Sequence, residues 1–119
     1  MKQNAGQFLE DILYRDLKSR RWKGKRFYNS VAENVEYKDI TGCGREVDDF
    51  AIHHREGKKR YIVIVECKLS DRLTKATKQL TITKNYLQKQ FPEARIFCIY
   101  AYGYSKKTGR YHIEWLRGL

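Results

Sequence analysis

The chain has 119 residues, enough for one domain with a single core. Its 41% hydrophobic and 33% charged content excludes a disordered polymer, and its longest apolar run is far too short to cross a bilayer. Lys and Arg total 25 against 14 acids, a formal net charge of +11, which favours a polyanionic partner.

The competing reading of that charge is a host whose proteins are generally basic. No secretory signal opens the chain, so a soluble, intracellular or cytoplasmic protein is expected. Cys43, Cys67 and Cys98 are odd in number and widely spaced, with no CxxC pair. Neither a zinc ribbon nor a disulfide framework follows from them.

Residues 4 to 20 read as an amphipathic helix, with Phe8, Leu9, Ile12, Leu13 and Leu17 on one side and Asn4 as N-cap. Asp16 falls within that apolar face, a local conflict that calls for a partner or a distorted helix end. A basic cluster follows: Arg20, Arg21, Lys23, Lys25 and Arg26, with Trp22 inside it and Gly24 at a turn. Trp22 reads as an anchor for the first helix, or else as a ring that stacks on a base.

Residues 27 to 40 are expected to be extended, and residues 41 to 44 to form a loop. A strand is expected over 46–54, then a polar turn over 55–60 containing Lys58 and Lys59. Tyr61 to Lys68, YIVIVECK, follows as a buried strand, antiparallel to the one before it. Residues 72 to 91 read as the second helix, with Leu73, Ala76, Leu80, Thr83, Leu87 and Phe91 inward, Lys75, Lys78 and Lys89 outward, and Pro92 as the stop. Strands are expected over 94–102 and 111–116. With no repeat, linker or low-complexity segment, residues 1–119 read as one α/β domain.

The chemistry concentrates at the end of YIVIVECK. Side chains of a strand alternate, so Glu66 and Lys68 share a face, while Val63, Val65 and Cys67 point the other way to pack under a helix. Charges closing an apolar strand are costly to bury unless paired or bound. Asp48, on the preceding strand, can be brought beside Glu66 by antiparallel pairing. Two close carboxylates repel unless a cation lies between them, and hard oxygen donors favour Mg²⁺ or Mn²⁺. The bland reading is an ion pair of Lys68 with Asp48 or Glu66 at a sheet edge.

Glu46-Val47-Asp48 followed by Ile64-Val65-Glu66-Cys67-Lys68 resembles the PD-(D/E)xK nuclease superfamily, whose fold is restriction-endonuclease-like. The resemblance runs from about residue 6 to about residue 100, and the element order resembles that fold's αβββαβ core, a mixed central sheet flanked by helices. It implies Asp48 and Glu66 as metal ligands, Lys68 as the catalytic lysine, and the backbone carbonyl of Cys67 as a further ligand. Val47 replaces the Pro of the family name. Asp49 competes with Asp48, but strand alternation favours Asp48. Gly6-xxx-Glu10 resembles the Gly-xxx-Glu of archaeal-type Holliday junction resolvases, which implies that Glu10 approaches the metal; otherwise it is a solvated helical acid. Gln79 resembles a Gln of the second helix in restriction and exonuclease branches. Thr83 stands where the exonuclease branch has Tyr, which argues against that branch and leaves Gln79 open between a catalytic role and helix surface.

The resemblance thus implies a Mg²⁺-dependent DNA endonuclease with Mn²⁺ as substitute, acting on branched or duplex DNA as a homodimer without a membrane. Arg20, Arg21, Lys23, Lys25, Arg26, Lys58, Lys59, Lys75 and Lys78 are the expected phosphate contacts. The rivals are a small restriction- or repair-type nuclease, a nuclease of RNA, and a nucleic-acid-binding module of the same fold that does not cut. His53-His54 are adjacent and lack the spacing of a nickase motif. The tyrosines of IYAY read as sheet packing.

Overall fold

A computed structural model describes residues 5–119. The N-cap expected at Asn4 lies outside the described residues. In chain order the elements are α1 (Ala5–Ser19), β1 (Arg21–Trp22), β2 (Lys25–Arg26), β3 (Ser30–Lys38), β4 (Gly44–His53), β5 (Tyr61–Lys68), α2 (Leu73–Gln90), β6 (Arg95–Tyr102) and β7 (His112–Trp115). Long elements fall where hydrophobic periodicity placed them, within a few residues. The two-residue strands β1 and β2 form a ribbon that periodicity does not reveal.

Five strands form one mixed sheet in the order β3-β4-β5-β6-β7. All neighbours are antiparallel except β5 and β6, which are parallel and joined by α2. A parallel pair needs a long crossover, and the helix supplies it. Strand β5 is central, which explains its unbroken run of buried Ile62, Val63, Ile64 and Val65.

Each helix covers one face. Leu9, Leu13 and Leu17 of α1 recur at i, i+4 and i+8 and pack on Ala51, Val63, Val65, Cys67, Ile99 and Ala101. Ala76, Leu80 and Leu87 of α2 pack on Ile62, Ile64, Cys98 and Tyr100 of the opposite face. Leu73, expected inward, is 43% exposed, because it opens α2 before the helix settles on the sheet. Asp16 resolves its conflict by turning outward, where the Tyr111 hydroxyl donates to Oδ2 at 2.9 Å. Cys67 and Cys98 are buried and free, as core-strand cysteines should be. No helix among the described residues is long and apolar enough to cross a membrane.

Leu9 is fully buried at the centre of the α1 contact. Leu9→Ala is expected to lower unfolding free energy by about 3 kcal/mol through lost transfer energy and a residual cavity. A urea midpoint shifted down at unchanged slope is the check; an unmoved midpoint would mean that α1 does not hold the sheet.

Candidate functional site

Strand β5 ends at Lys68, and the antiparallel β4 brings its N-terminal half to the same end of the sheet. Asp49 pairs with Val65, so Asp48 stands one rung on, beside Glu66. Helix α1 passes with Glu10 toward this end, and α2 begins just beyond Lys68. The four elements enclose a cleft of about 400 Å³ lined by Glu10, Arg45, Glu46, Asp48, Glu66, Lys68, Gln79 and Thr83.

Asp48 and Glu66 are both buried, at 9% and 6% exposure. The Cys67 backbone N–H donates to Asp48 Oδ2 at 2.7 Å, which fixes that carboxylate against β5. Lys68 Nζ lies 3.2 Å from Glu66 Oε1. This is the ion pair that the bland reading allowed, but on the central strand and not at a sheet edge. The other cation lining the cleft, Arg45, is engaged with Asp39 at 2.9 Å.

The acids crowd one another. Burial, followed by the Asp48 charge, pushes the Glu66 carboxyl up to about 8, although Lys68 opposes the shift. Burial likewise pushes Glu10 up to about 8, reinforced by Asp48, Glu46 and Glu66. Asp48 is also raised by burial, against the opposing Cys67 N–H and the Lys68 charge. Glu46 is raised by burial and by Asp48. Asp49 behaves differently. It is fully buried, receives only the Cys67 thiol at 3.8 Å, and is pushed up to about 9 by burial. It does not line the cleft, so strand alternation separates the two aspartates as expected.

Gln79, left open between active site and helix surface, lines the cleft, and its Oε1 is buried with no hydrogen-bond partner among the described residues. Thr83, expected on the inward stripe of α2, also lines the cleft, and Asn34, which the sequence did not single out, reaches its acids. Asn34 holds a positive φ of 54° beside Asp48's rung. In the amide orientation that turns its nitrogen to the acids, it donates to Glu46 Oε1 and Glu10 Oε2, both at 2.9 Å. Thr83 shares a 2.8 Å hydrogen bond with the Tyr37 hydroxyl. Neither contact leaves a local sequence signal beyond the tolerance of Asn for positive φ.

The donor set is all oxygen: carboxylates, the Gln79 amide and the Cys67 carbonyl. Among the described residues no three His, Cys, Asp or Glu side chains already converge on one point as a metal nest. A hard cation that keeps several waters needs no such nest, so Asp48, Glu66 and the Cys67 carbonyl fit Mg²⁺ better than Zn²⁺.

The basic residues separate. Lys75 and Lys78 are exposed on the first turns of α2, the helix that carries Gln79. Lys58 and Lys59 sit in the β4–β5 turn, at the far end of β5 from Glu66, and five residues of strand span about 16 Å. Arg20, Arg21, Lys23, Lys25 and Arg26 lie on or beside the β1–β2 ribbon, which adjoins His53 and Tyr61 at that far end. The expected groove of phosphate contacts is therefore two clusters at opposite ends of the sheet. Compared with known proteins, the chain matches no family model, no curated protein and no solved structure.

Proposed function

We propose that this chain is a divalent-metal-dependent endonuclease hydrolysing phosphodiester bonds in DNA, with branched DNA as its preferred substrate. The observation that carries the reading is that Glu10, Asp48, Glu66 and Lys68, from three separate elements, line one cleft. Two buried carboxylates and a half-buried third, held against their mutual repulsion, are costly to maintain without a cation to neutralise them. The order α1, β3 to β5, α2, β6 follows the αβββαβ core of the restriction-endonuclease-like fold, which supports membership of the PD-(D/E)xK superfamily. A homodimer follows from the need for two sites to cut both strands symmetrically.

Asp48 and Glu66 would hold the metal with the Cys67 carbonyl, and Glu10 would approach it from α1. Bound there, Mg²⁺ supplies a water of lowered pKa and offsets charge on the phosphate. Lys68, whose side chain is 18% exposed, reaches the cleft on the Glu66 side and can donate to the attacking water or to the developing phosphorane. Gln79 Oε1, lacking a partner, can accept from that water. Lys75 and Lys78 flank the cleft as phosphate contacts.

One observation favours a rival. The Glu66–Lys68 pair at 3.2 Å is already satisfied, as a module that binds nucleic acid without cutting it would allow. Among the described residues lining the cleft, Asp48 shares only the Lys68 charge and Glu10 has no cation beside it, so the nuclease reading is the stronger.

The test is incubation with Mg²⁺ and labelled four-way junction, linear duplex and single-stranded DNA. Paired symmetric nicks on the junction alone would support the full proposal. Cutting of every substrate would retain the nuclease and remove the preference for branches. Binding without cutting, in Mg²⁺ and in Mn²⁺, would sink the proposal. Lys68→Ala is expected to slow single-turnover cleavage roughly a hundredfold or more while Mn²⁺ binding persists. Wild-type cleavage by that variant would remove Lys68 from the mechanism.

A further inference from the structure

A second cleft, of about 530 Å³, opens at the end of the sheet away from the acidic site. Its walls are aromatic: Trp22 of β1, Phe27, His53, Tyr61, Phe97 and Trp115 of β7. Arg20 and Arg21 line it too, and no Asp or Glu among the described residues does. Trp22 is 56% exposed and Trp115 is 53% exposed. Trp22 does not anchor α1; it stands on the ribbon with Lys23 Nζ 5.9 Å from its ring centroid.

The floor is organised by ring contacts that do not involve Trp22. Phe27 and His53 stack at 4.2 Å with planes 8° apart, and His53 Nδ1 is hydrogen-bonded to the Phe27 carbonyl at 2.5 Å. Phe97 meets Trp115 edge-on at 6.1 Å. Trp22 and Trp115 each keep about half of their surface open to solvent.

The ribbon itself is built against its own charge. Arg21 pairs directly with Arg26 and Trp22 with Lys25, and like charges facing across a ladder destabilise it. Lys23 adopts a positive φ of 50° and Gly24 one of 79°, the tight turn that a two-residue hairpin loop requires. So short a ribbon buries nothing and holds its cations close together. A polyanion removes that repulsion.

We propose that this cleft is a binding site for an unpaired segment of a DNA strand, with bases stacked on Trp22 and Trp115 and phosphates held by Arg20, Arg21, Lys23, Lys25 and Arg26. In a duplex, base faces are hidden by stacking, so only an unpaired segment can present them to the two indoles. Charge complementarity selects the polyanion, and the open aromatic faces select unstacked bases. The site stands on the cleft's own residues and not on the acidic cleft, so it would exist in a chain that never cuts.

The chain's two tryptophans both line this cleft, so intrinsic fluorescence reports it directly. The experiment titrates the full chain, in EDTA, with a labelled oligothymidine and with a hairpin duplex of equal length, following fluorescence and anisotropy. Oligothymidine is expected to quench tryptophan emission, and the duplex is not. Trp22→Ala is expected to weaken oligothymidine binding roughly tenfold, with duplex binding held within about twofold. Trp115→Ala should do the same, and Trp22→Phe should restore most of the affinity. Arg21→Glu should weaken both ligands and flatten their salt dependence. Unquenched fluorescence, equal losses for both ligands, or tighter binding of oligouridine than of oligothymidine would each overturn the assignment. Because the titration contains no metal, its failure is separable from failure to cleave.

Discussion

Glu66→Gln is expected to abolish Mg²⁺-dependent cleavage while leaving DNA bound as well as before, or better. The substitution keeps the size of the side chain and its place at the end of β5, but removes a buried charge from the centre of the cleft. A metal ligand that contributes several kcal/mol to transition-state stabilisation corresponds to roughly a thousandfold or more in rate. Asp48→Asn should act similarly, because its carboxylate is held by the Cys67 N–H at 2.7 Å and an amide oxygen can take over that bond without the charge. Binding should hold or tighten because the acids repel phosphate when no metal is present. Single-turnover cleavage and anisotropy on the same DNA are the measurements. Either variant cutting at the wild-type rate would show that the metal site lies elsewhere. Loss of both cutting and folding would be recognised by circular dichroism and would shift the test to Lys68→Ala.

The second large effect is on stability. Without divalent metal, the protein should become less stable as pH rises from about 5 to about 8. Glu66 and Glu10 have folded-state values of about 8 against an ordinary 4.5, so the folded chain binds their protons more tightly than the unfolded chain does. Their contribution to stability is fully present below about 4.5 and is lost as pH climbs through about 8. A tenfold difference in proton affinity between the folded and unfolded chain is worth about 1.4 kcal/mol. Glu10, Asp48 and Glu66 titrate as one interacting set, and solvent screens the half-buried Glu10, so the total is a few kcal/mol. Addition of Mg²⁺ at pH 8 should recover much of it, by about 2.7 kcal/mol when the ion is a hundredfold above its Kd.

Thermal or urea unfolding at pH 5 and pH 8, in EDTA and in Mg²⁺, measures both effects. Glu66→Gln should flatten the pH dependence and shrink the Mg²⁺ shift together. Asp49, pushed up to about 9 by burial and then by the Asp48 and Glu10 charges, should leave a residual pH dependence that Mg²⁺ removes only in part. A stability that is flat in pH, or that Mg²⁺ leaves unmoved, would mean that the carboxylates are neutralised by the protein alone.

The elements were legible wherever a local period governs them. The run Ile62 to Val65 could only be a strand buried on both faces, and Leu9, Leu13 and Leu17 mark a helix stripe within one segment. The pair Glu66 and Lys68 follows from the same arithmetic, since side chains two apart in a strand share a face. Asp48 was also within reach, because a short polar turn between two strands imposes antiparallel pairing. The β1–β2 ribbon was not, because four residues with no buried side chain carry no period.

Chemistry resting on helices and surface rings was decided by contacts far apart in the chain. A glutamate at position 10 or a glutamine at position 79 reads locally as a solvated helical residue. Each enters the cleft because its helix lies across the sheet at that end. The same holds for Asp16, whose apparent conflict is settled by Tyr111, and for Thr83, bonded to Tyr37. Trp22 read first as an anchor for α1, and only the fold sets it with Trp115 of β7 along one cleft. By itself, then, the sequence determined the five strands of the main sheet, the helices and the Asp48, Glu66 and Lys68 cluster, through backbone periodicity and short-range pairing. Tertiary structure alone decided which helical side chains join that cluster, how far burial raises its acids, and that the basic ribbon faces away from it, because desolvation and proximity depend on the packing of distant segments.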